Sequence, residues 1–459
     1  MSCPVFPKPV KKKMGLWLSL IKRRSSWLDG LYQNSYWMRM GQFDAPKQTL
    51  FMPNHPDFVK QMLFDDVEHF PKHELLAEQL RPLLGDSIFT TNGMVWRRQR
   101  DMLDVAFGAR QIDRVFPQMQ QAVGKLLERI AVKAKNGTFD IDQEMTLVTA
   151  DIIFRTIMST ELDDEKAKVV LESFERFQRK TPRFLLLRLF GMPLKSVTRW
   201  FDRSRIRDAK VVREAIEAAI TPRYQAFKQT GRDEHDDILA QVLNAKDEQG
   251  QHFSLQETVD QVAMLFLAGH ETSASGLTWS LYLLALYPEW QQKIRGEMME
   301  LGAPELWTPR QLKECQSLKY LFMEALRLYP PVGFFMRENR RPQEMNGKPL
   351  KQGDLMVLSP WLLHRHTELW DEPHSFCPAR FDSQSSDFKV PKNGYLPFGA
   401  GPRVCIGAAF AMQEAYLILA SILRTYNVYL KDGFEPKPVG RLTIRSENGL
   451  QVSLEKVAE

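Results

Sequence analysis

Cysteine is scarce: four residues in 459, Cys3, Cys315, Cys377 and Cys405. None stands in paired metal-ligand spacing, which excludes a zinc site, an iron–sulfur cluster and a disulfide framework, and free thiols point to a reducing compartment. A membrane-spanning run is also missing at the amino terminus. There Lys11–Lys13, Met14–Ile21 and Lys22–Arg24 have the layout of a signal peptide. The apolar part is far short of the roughly 18 residues that cross a bilayer, and a basic cluster stands where small residues would permit cleavage. A soluble, cytoplasmic chain without a membrane span is expected. The alternative is a surface contact through Trp17, Leu18, Leu20 and Ile21. No Gly/Ser or Pro-rich linker, repeat or low-complexity tract divides the chain, so a single domain over 1–459 is expected. There is no Gly-Lys-Ser/Thr ending and no G-x-G-x-x-G, which removes the usual phosphate loops. A recognisable basic-aromatic module is lacking too, which removes nucleic acid as a partner.

What is present is one cysteine in a glycine-rich loop, Phe398-Gly399-Ala400-Gly401-Pro402-Arg403-Val404-Cys405-Ile406-Gly407, leading into the apolar stretch Ala408 to Leu423. Glycines let the backbone turn tightly and approach a ligand, and a helix over the apolar stretch would aim its free amides and positive dipole end at the sulfur. Both effects favour a thiolate. Phe398 supplies an aromatic wall and Arg403 a cation.

The pattern F-G-x-G-x-R-x-C-x-G, complete over 398–407, resembles the haem-ligand signature of the cytochrome P450 family. The resemblance implies a mainly α fold with small β-sheets (α+β), in one domain, with haem b held between a long central helix and the cysteine loop. It makes Cys405 the ligand to iron, with Phe398 and Gly407 beside it. A thiolate on haem iron favours O–O cleavage.

The clearest helix is 254–287, opened by the capping-box pattern Ser254-Leu255-Gln256-Glu257 and stopped by Pro288. A helix of this length runs on the order of 50 Å and should be buried on several faces. Ala268-Gly269-His270-Glu271-Thr272-Ser273 breaks its apolar run, although a mid-helix glycine and a buried acid both cost stability. The hexapeptide resembles the family's oxygen-binding motif. That likeness makes Glu271 a proton source and Thr272 a relay hydroxyl, with Ala268 and Gly269 leaving room for dioxygen and water. His270 is read as a packed histidine.

Three further segments resemble family elements. Glu324 and Arg327, one helical turn apart before Pro330-Pro331, would join Arg380 in bracing the cysteine loop. Trp96 and Arg100, on one helix face, would reach the haem propionates with Arg337 and Arg403. The pocket would be lined by Ile88, Phe89, Leu265, Val332, Phe334 and Phe335, with Leu442 to Ile444 nearby, and the segment 184–190 would form a lid. Arg97, Arg98, Lys389 and Lys392 would face outward as a cationic patch for an acidic electron donor. With no flavin or iron–sulfur domain visible, electrons are expected from a ferredoxin and its reductase or from a flavoprotein reductase. The reading that follows is a monooxygenase acting on a hydrophobic molecule. Its rivals are a peroxide-driven haem oxygenase and a non-catalytic haem-thiolate sensor or electron carrier.

Overall fold

The computed structural model describes residues 3–11, 26–44, 48–161, 169–178, 198–385 and 389–457. The expected lid at 184–190 and most of the basic-apolar segment, residues 12–24, lie outside them. The helices that build the site are α1 (Glu74–Leu84), α2 (Gly93–Asp104), α3 (Phe116–Lys135), α4 (Ile141–Met158), α5 (Thr198–Thr230), α6 (Leu255–Leu286), α7 (Gln316–Leu328) and α8 (Ala408–Thr425). The strands are β1 (Met40–Asp44), β2 (Thr49–Pro53), β3 (Phe139–Asp140), β4 (Phe335–Glu338), β5 (Gln343–Met345), β6 (Lys348–Leu350), β7 (Leu355–Leu358), β8 (Tyr426–Leu430), β9 (Pro438–Gly440), β10 (Ile444–Ser446) and β11 (Gln451–Lys456). They form small sheets: β1-β2-β7-β4, β3-β11-β8, β9-β10 and β5-β6. Strands β2 and β7 pair in parallel, and the other strand pairs among the described residues are antiparallel. Residues 27–36 add short 3₁₀ turns ahead of β1, so the chain has joined the fold before residue 45.

The capping box at the start of α6 forms in both directions, Glu257 N–H to Ser254 Oγ and Ser254 N–H to the Glu257 carboxylate. Tyr287 caps the other end, before Pro288. Every residue from Thr258 to Leu284 is buried except Ala268, Gly269 and Thr272. The helix is therefore wrapped by its neighbours, chiefly α4 with α5, α7 and α8, and opens at one place. Several of its polar residues are satisfied by neighbours: Thr278 donates to Asp142, and Ser275 and Trp279 donate to the Ile444 carbonyl. Gly269 has a packing reason. A Cβ there would collide with the Ile153 side chain of α4, so the missing side chain sets how closely the two helices cross. Among the described residues no helix is long and apolar enough to cross a membrane.

Candidate active site

The opening in α6 faces the cysteine loop across a cavity. Ala268, Gly269 and Thr272 line one side, Phe398 to Ala400 and Arg403 to Gly407 the other, and Phe410 and Ala411 extend the second wall into α8. The loop is locked by the Cys405 amide donating to the Phe398 carbonyl at 2.8 Å. At Gly401, φ is +67° and a Cβ would strike the Leu63 carbonyl, so only glycine lets the loop lie on that backbone. Gly407 caps α8 and its amide points to the sulfur, as the dipole argument requires. The net effect on the thiol is nevertheless upward: burial against the apolar wall outweighs the Gly407 amide and the charge of Arg100.

Cations gather along one rim of the cavity. Trp96 and Arg100 come from α2 and Arg337 from β4, while Arg403 lies over the Trp96 ring with its guanidinium carbon 3.8 Å from the centroid. The structure adds Lys72, which pairs with Arg337 through an isolated antiparallel bridge and donates from Nζ to the Phe89 carbonyl. Arg100 is partly neutralised by Asp104 at 2.7 Å. Among the described residues no carboxylate is paired with Lys72, Arg337 or Arg403. Burial drives the Arg337 guanidinium down to about 10; burial and then the charges of Arg337, Arg97 and Arg100 drive Arg403 down to about 9. Lys72 is lowered strongly, by burial and then by Arg403, Arg337 and Arg100. Three cations, Arg337 buried and Lys72 and Arg403 half-buried, that repel one another form half of an electrostatic arrangement, and two carboxylates at the edge of a flat ligand complete it. The apolar walls and the facing sulfur complete the fit to haem.

On the α6 side, the Thr272 hydroxyl donates to the Ala268 carbonyl at 2.6 Å, which leaves its oxygen lone pairs as the acceptor presented to the cavity. Glu271, the expected proton source, is buried: burial raises its carboxyl, while Arg445, His270, the Thr443 hydroxyl and the Gln178 amide together hold it below the usual range. Thr443 Oγ1 donates to Glu271 at 2.6 Å. Glu271 is thus tied to the last residues of the chain by a hydrogen bond from Thr443. His270 packs as expected, fully buried on Phe266 and hydrogen-bonded through Nδ1 to the Phe266 carbonyl at 2.9 Å.

Behind the loop, Arg327 makes a bidentate pair with Glu324 at 2.7 and 2.8 Å, and Arg380 approaches the same carboxylate at 3.5 Å. All three are buried. Their link to the loop is a residue the sequence reading missed: His364, whose carbonyl accepts from Arg327 and whose Nε2 accepts from the Leu396 amide at 2.7 Å. Ile88, Phe89, Leu265, Val332, Phe334 and Phe335 all line the cavity, as do Leu442 and Thr443. Ile444 does not. It opens β10, where successive side chains alternate faces, and it is buried in the core. Arg98 also departs from expectation, since Asp247 and Glu257 hold it at 2.6 and 2.7 Å. Arg97, Lys389 and Lys392 are exposed.

The sequence profile of the cytochrome P450 family matches residues 14–452. Among similar proteins, cytochrome P450 4F3 of Homo sapiens is 28% identical over 99% of this chain and 90% of its own length. A cytokinin hydroxylase of Arabidopsis thaliana is 30% identical over 87% of this chain and 77% of its own. An 11-oxo-beta-amyrin 30-oxidase of Medicago truncatula is 27% identical over 88% and 78%. With a profile that spans nearly the whole chain and a cavity shaped and charged for haem b, the chain belongs to the cytochrome P450 family and is an oxidoreductase of that kind.

Proposed function

We propose that the chain is a haem-thiolate monooxygenase that inserts one oxygen atom of O2 into a C–H or C=C bond of a hydrophobic molecule, with two electrons from separate redox proteins. The observation that carries this reading is the placing of Cys405 and the Ala268–Gly269–Thr272 opening on one cavity, with a rim of cations. Haem supplies dioxygen activation, and a thiolate ligand directs it toward O–O cleavage. The remaining work falls to the chain. Lys72, Arg100, Arg337 and Arg403 would anchor the propionates, with Trp96 beneath Arg403. The His364 link to Glu324, Arg327 and Arg380 would keep the loop rigid. Phe89, Leu265, Val332, Phe334 and Phe335 would bind an apolar molecule and exclude water. Thr272 would accept a proton-bearing group at its oxygen while Glu271 and Thr443 pass a proton toward it. The similarity to a cytokinin hydroxylase and to an 11-oxo-beta-amyrin 30-oxidase supports oxidation at carbon. A docking face for the electron donor would include Arg97, Lys389 and Lys392, with the exposed Met94 and Val95 beside them.

The test is spectroscopic and then chemical. The reduced protein with carbon monoxide should give the Soret band of thiolate ligation, and Cys405→His should lose it while retaining haem. An apolar compound library screened for spin-state change should yield a ligand that gains one labelled atom from isotopic dioxygen when a ferredoxin pair and NAD(P)H are added. A thiolate band with label appearing only from added peroxide would replace this reading with the peroxide-driven one.

A further inference from the structure

Helix α1 lays one stripe along the cavity. Leu76, Ala77, Leu80 and Leu84 line it at helical spacing, and His73, which caps α1, stands one turn before Leu76 and lines it too. At about 1.5 Å per residue the stripe from His73 to Leu84 runs on the order of 16 Å. Leu76 and Phe334 pack against the same small core of Met336, Leu355 and Val357, which ties this wall to β4 and β7. The two ring nitrogens of His73 are not equivalent. Nδ1 accepts the Leu75 amide at 3.0 Å, so the neutral ring carries its proton on Nε2. Among the described residues that nitrogen has no hydrogen-bond partner. Burial lowers the ring below its ordinary 6.5, and Glu338 and Glu74 oppose it only in part, which keeps the imidazole neutral near neutral pH. The other polar side chains of the cavity have their places. Cys405 belongs to the loop, Lys72, Arg100, Arg337 and Arg403 form the rim with Trp96, and Glu271, Thr272, Ser273 and Thr443 gather where α6 meets the hairpin of β9 and β10. His73 is the neutral donor left at the head of an apolar wall.

We infer that His73 is a specificity-determining residue: its Nε2–H donates to an uncharged oxygen, carbonyl or hydroxyl, at one end of an elongated apolar molecule that lies along Leu76 to Leu84. An oxygen buried there without a donor would lose its bonds to water unrepaid, and an alkane leaves the Nε2–H unpaired, so the site separates the two classes. A carboxylate fits less well. The imidazole brings no charge to pair with it, the rim cations are taken up by the haem edge, and the carboxylates of Glu338 and Glu74, which already act on His73, repel a further anion. This inference names the substrate class of the oxygenase site proposed above and rests on that reading.

The experiment uses the haem-loaded chain in three forms: wild type, His73→Ser and His73→Asn. Serine keeps a cap on α1 but is too short to reach the ligand, while asparagine keeps both the cap and an N–H donor. The probes are an alkane, a methyl ketone, a primary alcohol and a carboxylate of about twelve carbons, long enough to run along the stripe. Affinity is read by calorimetry and by the ligand-induced change in the haem spectrum. The ketone-to-alkane and alcohol-to-alkane affinity ratios should fall about three- to tenfold from wild type to His73→Ser, the worth of one neutral hydrogen bond, with alkane affinity and the rate of haem loss unchanged. His73→Asn should recover part of both ratios. Wild type should bind the carboxylate less tightly than the ketone. A residue that only caps the helix would not move these ratios in His73→Ser. Wild-type ratios in His73→Ser, a carboxylate bound more tightly than the ketone by wild type, or no binding of any probe to wild type overturns the proposal. Faster haem loss in His73→Ser with the ratios intact also overturns it and assigns the residue to the haem edge. The oxygenase reading fails separately, by the absence of the thiolate band and of labelled product in wild type, whatever the affinity ratios.

Discussion

Lys72 and Arg337 face each other across an isolated antiparallel bridge, one cation half-buried and the other buried, with no carboxylate paired to either among the described residues. Each raises the cost of charging the other's surroundings, and each gains only when an anion arrives. Arg337→Met should therefore have effects of opposite sign in the two states of the protein. The haem-free chain should unfold at higher denaturant, because a desolvated charge is removed. The haem-loaded chain should lose its cofactor faster by about ten- to a hundredfold, the worth of one charge-assisted hydrogen bond. Haem transfer to apomyoglobin and urea unfolding of both forms measure the two effects. Equal destabilisation of both forms would mean Arg337 is simply a packed side chain.

Glu324 neutralises two arginines at once. Glu324→Gln leaves Arg327 and Arg380 sharing a buried site with no counter-charge, at a cost of about 3–5 kcal/mol. The Arg327 contacts to the His364, Pro373 and Ser375 carbonyls hold the surrounding meander, so the loss should spread to the cysteine loop through His364 and Leu396. The expected outcome is a sharp fall in haem content at expression, with Cys405 unaltered. Haem-to-protein ratio together with denaturant unfolding checks it. Full haem occupancy with unchanged stability would remove the bracing role.

The parts of this site carried by local patterns were legible in the sequence. A capping box and a proline fixed both ends of α6, because the groups that satisfy a helix end are close in the chain. Arg337 came only from the family resemblance. Lys72 was not legible, since a single lysine before α1 has no periodicity to mark it, and its role comes from a bridge to a residue far along the chain. Thr443 and Arg445 meet Glu271 and Asp142 only because the last hairpin folds back on α6. Arg98 was misassigned for the same reason, its partner Asp247 being remote in sequence.

Gly269 gives a purely steric test. Gly269→Ala should help an isolated helix by about 1 kcal/mol, yet here the new methyl meets Ile153. Overpacking of this kind costs about 1–3 kcal/mol, so the variant should be less stable than wild type. Shortening the obstacle should recover most of the loss, making Gly269→Ala with Ile153→Val a coupled pair in a double-mutant cycle of thermal unfolding. Additive effects would show that α4 and α6 are free to move apart.

Glu271 makes the stability of the fold depend on acid in a calculable direction. Its carboxyl lies below the ordinary value of 4.5 in the folded chain, because Arg445, His270, Thr443 and Gln178 together outweigh burial. A lowered folded value means that the group's contribution is fully present above about pH 4.5 and is lost as pH falls through the folded value. Glu271→Gln keeps the shape and removes the charge. At pH 7 it should be less stable than wild type, since Arg445 and Thr443 lose their ionised partner. As pH falls below about 4.5 the difference should shrink toward zero, because wild type is then protonating the same group. Denaturant unfolding of both proteins at a series of pH values gives the difference directly. A gap that stays constant with pH would mean that Glu271 is already protonated in the folded chain, and the ionised network around it would have to be abandoned.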